Sequence, residues 1–133
     1  MTPRAILLRG RALIRQGWCQ DDDAHDANGD RVDPWSMEAR SWSLLGALVA
    51  TEGVGRNAVG RIPVDELGRA IVVLGEAANT HTLEALNDDP RCTQRAVLAA
   101  FDGALVLLDE HERTGFAGQA SSARVLGSGG PRS

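Results

Sequence analysis

Apolar residues return every three or four positions along most of this chain, in four separate stretches. Ile6, Leu7, Gly10, Leu13 and Ile14 share one side of a helix over Pro3–Gln16, with Arg4, Arg11 and Arg15 on the other. Pro3 suits a first turn, which needs no amide there, and Gly17 suits a left-handed stop. A second stripe of Trp35, Ala39, Trp42, Gly46 and Val49, flanked by Leu45 and Leu48, predicts a helix opened by Asp33-Pro34 or Ser36 and ending near Thr51. Leu67, Ile71, Leu74 and Ala78 predict a third over 64–78, with Asp65 and Glu66 at the positive end of its dipole. Val97, Leu98, Phe101, Leu105 and Leu108 predict a fourth from the Asp89-Pro90 start signal to about Arg113. Leu83 and Leu86 suggest one short helical turn before it.

Period-two alternation is absent, so the expected fold is all-α, a compact bundle of four main helices. A long acidic loop, residues 21–33, follows the first helix, and Asn28-Gly29 marks a turn within it. From Gly115 onward the residues are small, polar and Gly-rich, which predicts one helical domain over 1–114 and a disordered tail over 115–133. Gly10, Gly46, Gly68, Gly75 and Gly103 fall inside predicted helices, each at a cost of about 1 kcal/mol relative to Ala. Close helix crossing is the favoured explanation, and room for a ligand between helices is the other.

Composition narrows this further. Aromatic residues make up only 4% of the chain, so the core must be built from Ala, Leu, Val and Ile. The formal charge is −4, which argues against a general nucleic-acid binder. All fourteen basic residues are Arg and none is Lys, which looks like the coding bias of a GC-rich genome. The longest apolar runs, Leu44–Ala50, Ala70–Gly75 and Ala96–Phe101, fall far short of the roughly 20 residues that cross a bilayer. Arg interrupts every apolar run near the N-terminus, so no signal segment is expected. Cys19 and Cys92 stand without CxxC or His spacing, which suggests neither zinc nor a disulfide framework. The expectation is a cytoplasmic protein with reduced thiols, no cofactor, no metal, and neither nucleic acid nor membrane as partner.

Four segments together resemble a known family: Gly17-Trp18, Asp26-Ala27-Asn28-Gly29, the run Ala39–Leu48, and Leu86-Asn87-Asp88. In this order and spacing they look like a group of small, mostly actinobacterial and phage proteins classed only as a domain of unknown function. The resemblance covers about residues 3–109, and its most distinctive pieces are Trp-x-x-x-Gly-Ala-Leu and the Asn-Asp pair. Two positions depart from the group: Leu86 stands where Trp is frequent, and Ser43 where Cys is frequent. The resemblance implies a helical fold and supplies no activity.

Three places could carry chemistry. The first is the acidic loop, whose Asp21, Asp22, Asp23, Asp26, Asp30 and Asp33 offer oxygen ligands for a hard cation. Aligned as an EF-hand on Gly29, however, the first and last ligand positions would be Ala24 and Trp35, which cannot serve. A solvated loop, offset by the four Arg of residues 1–20, is the plainer expectation. The second is the Arg face of the first helix, with Arg4, Arg9, Arg11 and Arg15, which could hold phosphates or an acidic protein. A solvated face beside the acidic loop is again the plainer reading. In the third, His81 could act as a general base oriented by Asp88 or Asp89, and Asn87 could donate to an oxyanion. The same residues are good helix caps. No nucleophile motif, P-loop or metal-protease motif supports an enzyme.

The primary expectation is a non-catalytic binding protein. Its partner is a protein, another copy of the chain included, or a small molecule held between helices near Trp42 and the Asn87-Asp88 turn. Trp35, Trp42, Ser43 and Asn87 are the candidate ligand-binding residues. The alternative is a small enzyme of specialised metabolism using His81, Asn87 and Asp88 for proton-transfer or hydrolytic chemistry.

Overall fold

Thr2 opens the first helix by accepting a hydrogen bond from the Ala5 amide on its Oγ1, at 3.1 Å. Pro3 follows at a position where no amide is missed, so the helix starts where the sequence places it. The computed structural model describes residues 2–53, 64–80 and 82–121. Its elements are α1 (Pro3–Gln16), β1 (Ala24–His25), β2 (Ser41–Trp42), α2 (Leu44–Gly53), α3 (Val64–Ala78), α4 (Leu83–Asp88) and α5 (Gln94–Ser121). The protein is mainly helical, as expected.

Helix α1 lies against α2, α3 and α5, and α3 lies along α5. The apolar sides of these helices meet around Phe101, which is fully buried with Ile6, Leu7, Ile14, Leu48, Leu74 and Leu108. Burying each such side chain stabilises by about 1.5–3 kcal/mol, which is why the three-to-four rhythm dictates the assembly. Gly10 sits at the crossing of α1, α2 and α5. A Cβ there would stand 3.1 Å from Phe101 Cε1 and 3.2 Å from Leu48 Cδ2. At this position close crossing, not ligand space, explains the glycine. Among the described residues no atom lies within 4 Å of a Cβ at Gly68, so their packing does not explain that one.

The second predicted helix is much shorter than its stripe. Residues 34–43 are not helical, and α2 begins only at Leu44. The physical reason is that their backbone groups are used elsewhere. The Trp42 amide donates to the Gly17 carbonyl at 3.0 Å, and the Cys19 amide donates to the Trp42 carbonyl at 3.1 Å. Arg40 and Ser43 donate to the carbonyls of His25 and Asp23, at 2.8 and 3.0 Å. Strands β1 and β2 are therefore antiparallel, with Ala24 opposite Trp42 and His25 opposite Ser41. Trp18 bridges Trp42 in parallel and Arg31 bridges His25 in antiparallel fashion, which widens this small β-layer. The expectation of no strands is corrected here. So is a mid-helix Ser43, since its Oγ accepts from the Gly46 amide at 2.9 Å and caps α2.

Three further helix ends differ from expectation. Gly17 has φ −175°, an extended conformation and not a left-handed stop. Its reason for being glycine is the Arg40 carbonyl, into which a Cβ would run. Asp89-Pro90 makes a turn instead of opening the last helix, with the Cys92 amide donating to the Asp89 carbonyl at 2.8 Å. Thr93 caps α5, its Oγ1 accepting from the Ala96 amide at 3.1 Å. At its other end α5 continues past Arg113 to Ser121. The expected tail beyond Ser121 lies outside the described residues.

Helix α3 matches its predicted span and ends on Asn79, at φ 56°. The Asn79 amide bonds the Glu76 carbonyl and the Thr80 amide the Gly75 carbonyl, the paired closure of a Schellman motif. The Asn28-Gly29 turn is as expected, with Gly29 at φ 85° and its amide donating to the Asp26 carbonyl at 3.0 Å. No helix among the described residues is long and apolar enough to cross a membrane.

Candidate functional site

Two places gather the residues singled out in the sequence, and they have opposite chemical character. The first is centred on Asn87, which is 1% exposed. Its Oδ1 accepts from Trp18 Nε1 at 2.7 Å and from the Leu44 amide at 2.9 Å. Its Nδ2 donates to the Cys19 carbonyl at 3.1 Å and to Asp88 Oδ1 at 3.0 Å. A primary amide has two donor hydrogens and two acceptor lone pairs, so every one is in use. The same partners fix which end is oxygen: two N–H groups face one atom and two oxygens face the other.

Around Asn87 the chain ties further knots. Gln20 Nε2 donates to the carbonyls of Asn87 and Asp89, both at 2.9 Å. The Asp21 amide donates to Asp88 Oδ1 at 2.8 Å, with Asp21 itself at φ 78°. Asn87 and Asp88 thus hold α4 to the start of α2 and to the segment after α1. No substrate can be met by the Asn87 amide without breaking one of these bonds. His81, the third member of the proposed catalytic group, lies outside the described residues.

The acidic loop divides its charges. Asp26 Oδ1 accepts from the amides of Asn28 and Asp30, both at 2.9 Å. Asp22 Oδ2 is 2.9 Å from His25 Nε2, and its Oδ1 is 3.9 Å from Arg31. Among the described residues no group of three His, Cys, Asp or Glu could hold a metal ion. Nor does the loop neutralise the Arg face. Arg4 instead pairs with Asp109, and Arg11 grips Asp102 through Nε and Nη2 at 2.7 and 3.2 Å. The expected pairing of loop with helix is corrected to a pairing of α1 with α5.

Both thiols are free, and burial pushes each of them above the ordinary thiol range. Protonated thiols are poor nucleophiles, so neither cysteine is poised for attack. The Asp89 carboxyl is held below its usual range by hydrogen bonds from Arg91.

The second place is a surface cleft of about 320 Å³ between α1 and the 34–42 segment. Its walls are Leu13, Pro34, Trp35, Trp42 and Ala50, with Arg9, Ala12 and Gln16 along the exposed edge of α1. The two indoles do not share a helix face as the stripe predicts. They nevertheless line one cavity, because the 34–42 segment folds back across α1. Trp42 Nε1 donates to the Pro34 carbonyl at 2.8 Å, and Thr51 Oγ1 donates to the Leu48 carbonyl at 2.6 Å. Arg9 and Gln16 have no hydrogen-bond or ion-pair partner among the described residues. Ser43 is buried and caps α2, so the structure separates it, like Asn87, from the cleft. Gln16 carries no signal in the sequence, since its place depends on a segment eighteen or more residues further on.

The chain belongs to DUF6197, a family of unknown function whose model matches residues 1–106. The match takes in both the Asn87 junction and the cleft. No curated protein and no solved structure matches the chain.

Proposed function

We propose that this is a non-catalytic binding protein and that its ligand is a small molecule seated in the cleft between α1 and the 34–42 segment. One observation carries the reading. Two polar side chains without a partner among the described residues, Arg9 and Gln16, border a cavity walled by two indoles. An apolar hollow with a few convergent polar groups is the ordinary form of a ligand site, and about 320 Å³ lies in the usual range of roughly 300–1,000 Å³. Free thiols at Cys19 and Cys92 suit the cytoplasm, the compartment we assign.

The enzyme reading has less to support it, because the hydrogen-bonding capacity of Asn87 is already spent within the protein. The test is a small-fragment screen by saturation-transfer NMR on the full chain, repeated on Ala12→Trp. Ala12 is exposed and borders the cleft, so the added indole fills the cavity without entering the core. Fragments that bind the wild type and lose their signal with Ala12→Trp are expected. A screen in which the variant keeps every hit, or in which there is none, overturns the reading.

A further inference from the structure

Resting on the reading of the cleft as a ligand site, we infer that its ligand is a planar aromatic molecule carrying a single carboxylate. Few polar groups at the cleft are left to meet a ligand. The N–H of Trp42 is spent on the Pro34 carbonyl and the hydroxyl hydrogen of Thr51 on the Leu48 carbonyl. The groups that remain at the edge are the Arg9 guanidinium and the Gln16 amide. Neither has a partner among the described residues, whereas Arg4 and Arg11 on the same helix are both paired with α5.

The charge balance points the same way. Among the described residues no Asp or Glu lines the cleft, although the chain as a whole carries −4. Arg9 is the only ionised residue among its described lining. One guanidinium neutralises one negative charge, and its planar fork matches the two oxygens of a carboxylate. A phosphate dianion would leave a charge unbalanced beside indole walls. Those walls decide the rest of the ligand. Trp35 and Trp42 both line the cleft, and an aromatic ring packs favourably against indole. Gln16 lies seven residues along α1 from Arg9, about two helical turns, so the two groups border the same side of the helix. Arg9 takes the carboxylate, and Gln16 is left to meet a polar substituent further along the ring.

The probes are 2-naphthoate, its neutral counterpart 2-naphthamide, and the cation 2-naphthylmethylammonium. Each is titrated by calorimetry into the full wild-type chain, Arg9→Gln and Ala12→Trp. Binding of 2-naphthoate to the wild type at least tenfold tighter than 2-naphthamide is expected, with no binding of the cation. Arg9→Gln should reduce that preference to within about twofold, while Ala12→Trp should abolish both. Equal binding of naphthoate and naphthamide, both blocked by Ala12→Trp, overturns the carboxylate and leaves the cleft as a ligand site. A preference for naphthoate that survives Arg9→Gln also overturns it, by removing Arg9 from the site. No binding by any probe overturns the aromatic ligand and takes this inference with it.

Discussion

The Asn87 junction and the tryptophan cleft both bring polar side chains together with an indole, yet they do different work. At the junction, Asn87 is 1% exposed and all four of its hydrogen-bonding positions are filled by the protein. At the cleft, Arg9 and Gln16 stand exposed beside Trp35 and Trp42, without a partner among the described residues. A buried polar group with every bond made specifies one arrangement of the chain, because each alternative leaves something unsatisfied. An exposed group left unpaired adds little to folding and keeps its capacity for something else. Saturation, and not residue type, separates the part that holds from the part that can bind.

The largest expected effect comes from emptying the junction. Asn87→Leu keeps the branched heavy-atom outline but strands the Leu44 amide, the Trp18 indole N–H and the Cys19 carbonyl. Stranded buried groups cost about 1–3 kcal/mol each, so a loss of roughly 3–5 kcal/mol is expected in urea unfolding. A loss below about 1 kcal/mol would remove the structural role assigned to the junction.

Next in size is the crowding at Gly46, where α2 lies against the β-layer. A Cβ at this position would run into the Asp23 carbonyl, and backbone, unlike a side-chain tip, does not swing aside. Gly46→Ala should therefore cost about 2 kcal/mol or more in the same measurement. Gly68→Ala is the counterpart within α3, where a Cβ meets no atom of the described residues within 4 Å. There the gain in helix propensity should stabilise by up to about 1 kcal/mol. If both substitutions destabilised alike, close approach at Gly46 would not be the reason for its glycine.

The helical part of this design is legible in the sequence because it depends on local rhythm. The spans of α1 and α3 follow from apolar spacing close at hand. The stripe from Trp35 to Val49 misleads for a reason of equal generality. Trp42 satisfies the helical period and Ser43 falls within the predicted span, but their amides find carbonyls at Gly17 and Asp23, twenty or more residues earlier. A pairing over that distance leaves no local trace. Asn87 is visible as a residue worth attention, while Trp18, Gln20 and Asp21 become its neighbours only through the fold. Three of the four segments singled out in the sequence meet there, at Trp18, Leu44 and Asn87. The cleft is half legible: its indoles can be named in advance, but not the helix edge that faces them.

The smallest expected effect is the most discriminating one. Replacing Arg9 and Gln16 together with Ala deletes both unpaired groups, and no described contact depends on either. Their positions are exposed and helical, and Ala is the best helix former, so propensity offsets whatever packing the two stems provide. The double variant should unfold within about 0.5 kcal/mol of the wild type. Its behaviour would then be the reverse of Asn87→Leu, with folding retained and capture of 2-naphthoate lost. A loss of about 2 kcal/mol or more would mean that Arg9 and Gln16 hold the 34–42 segment against α1, as Asn87 holds α4. In that event the cleft would be a seam of the fold, and the distinction between saturated and unsaturated polar groups would no longer divide structure from function here.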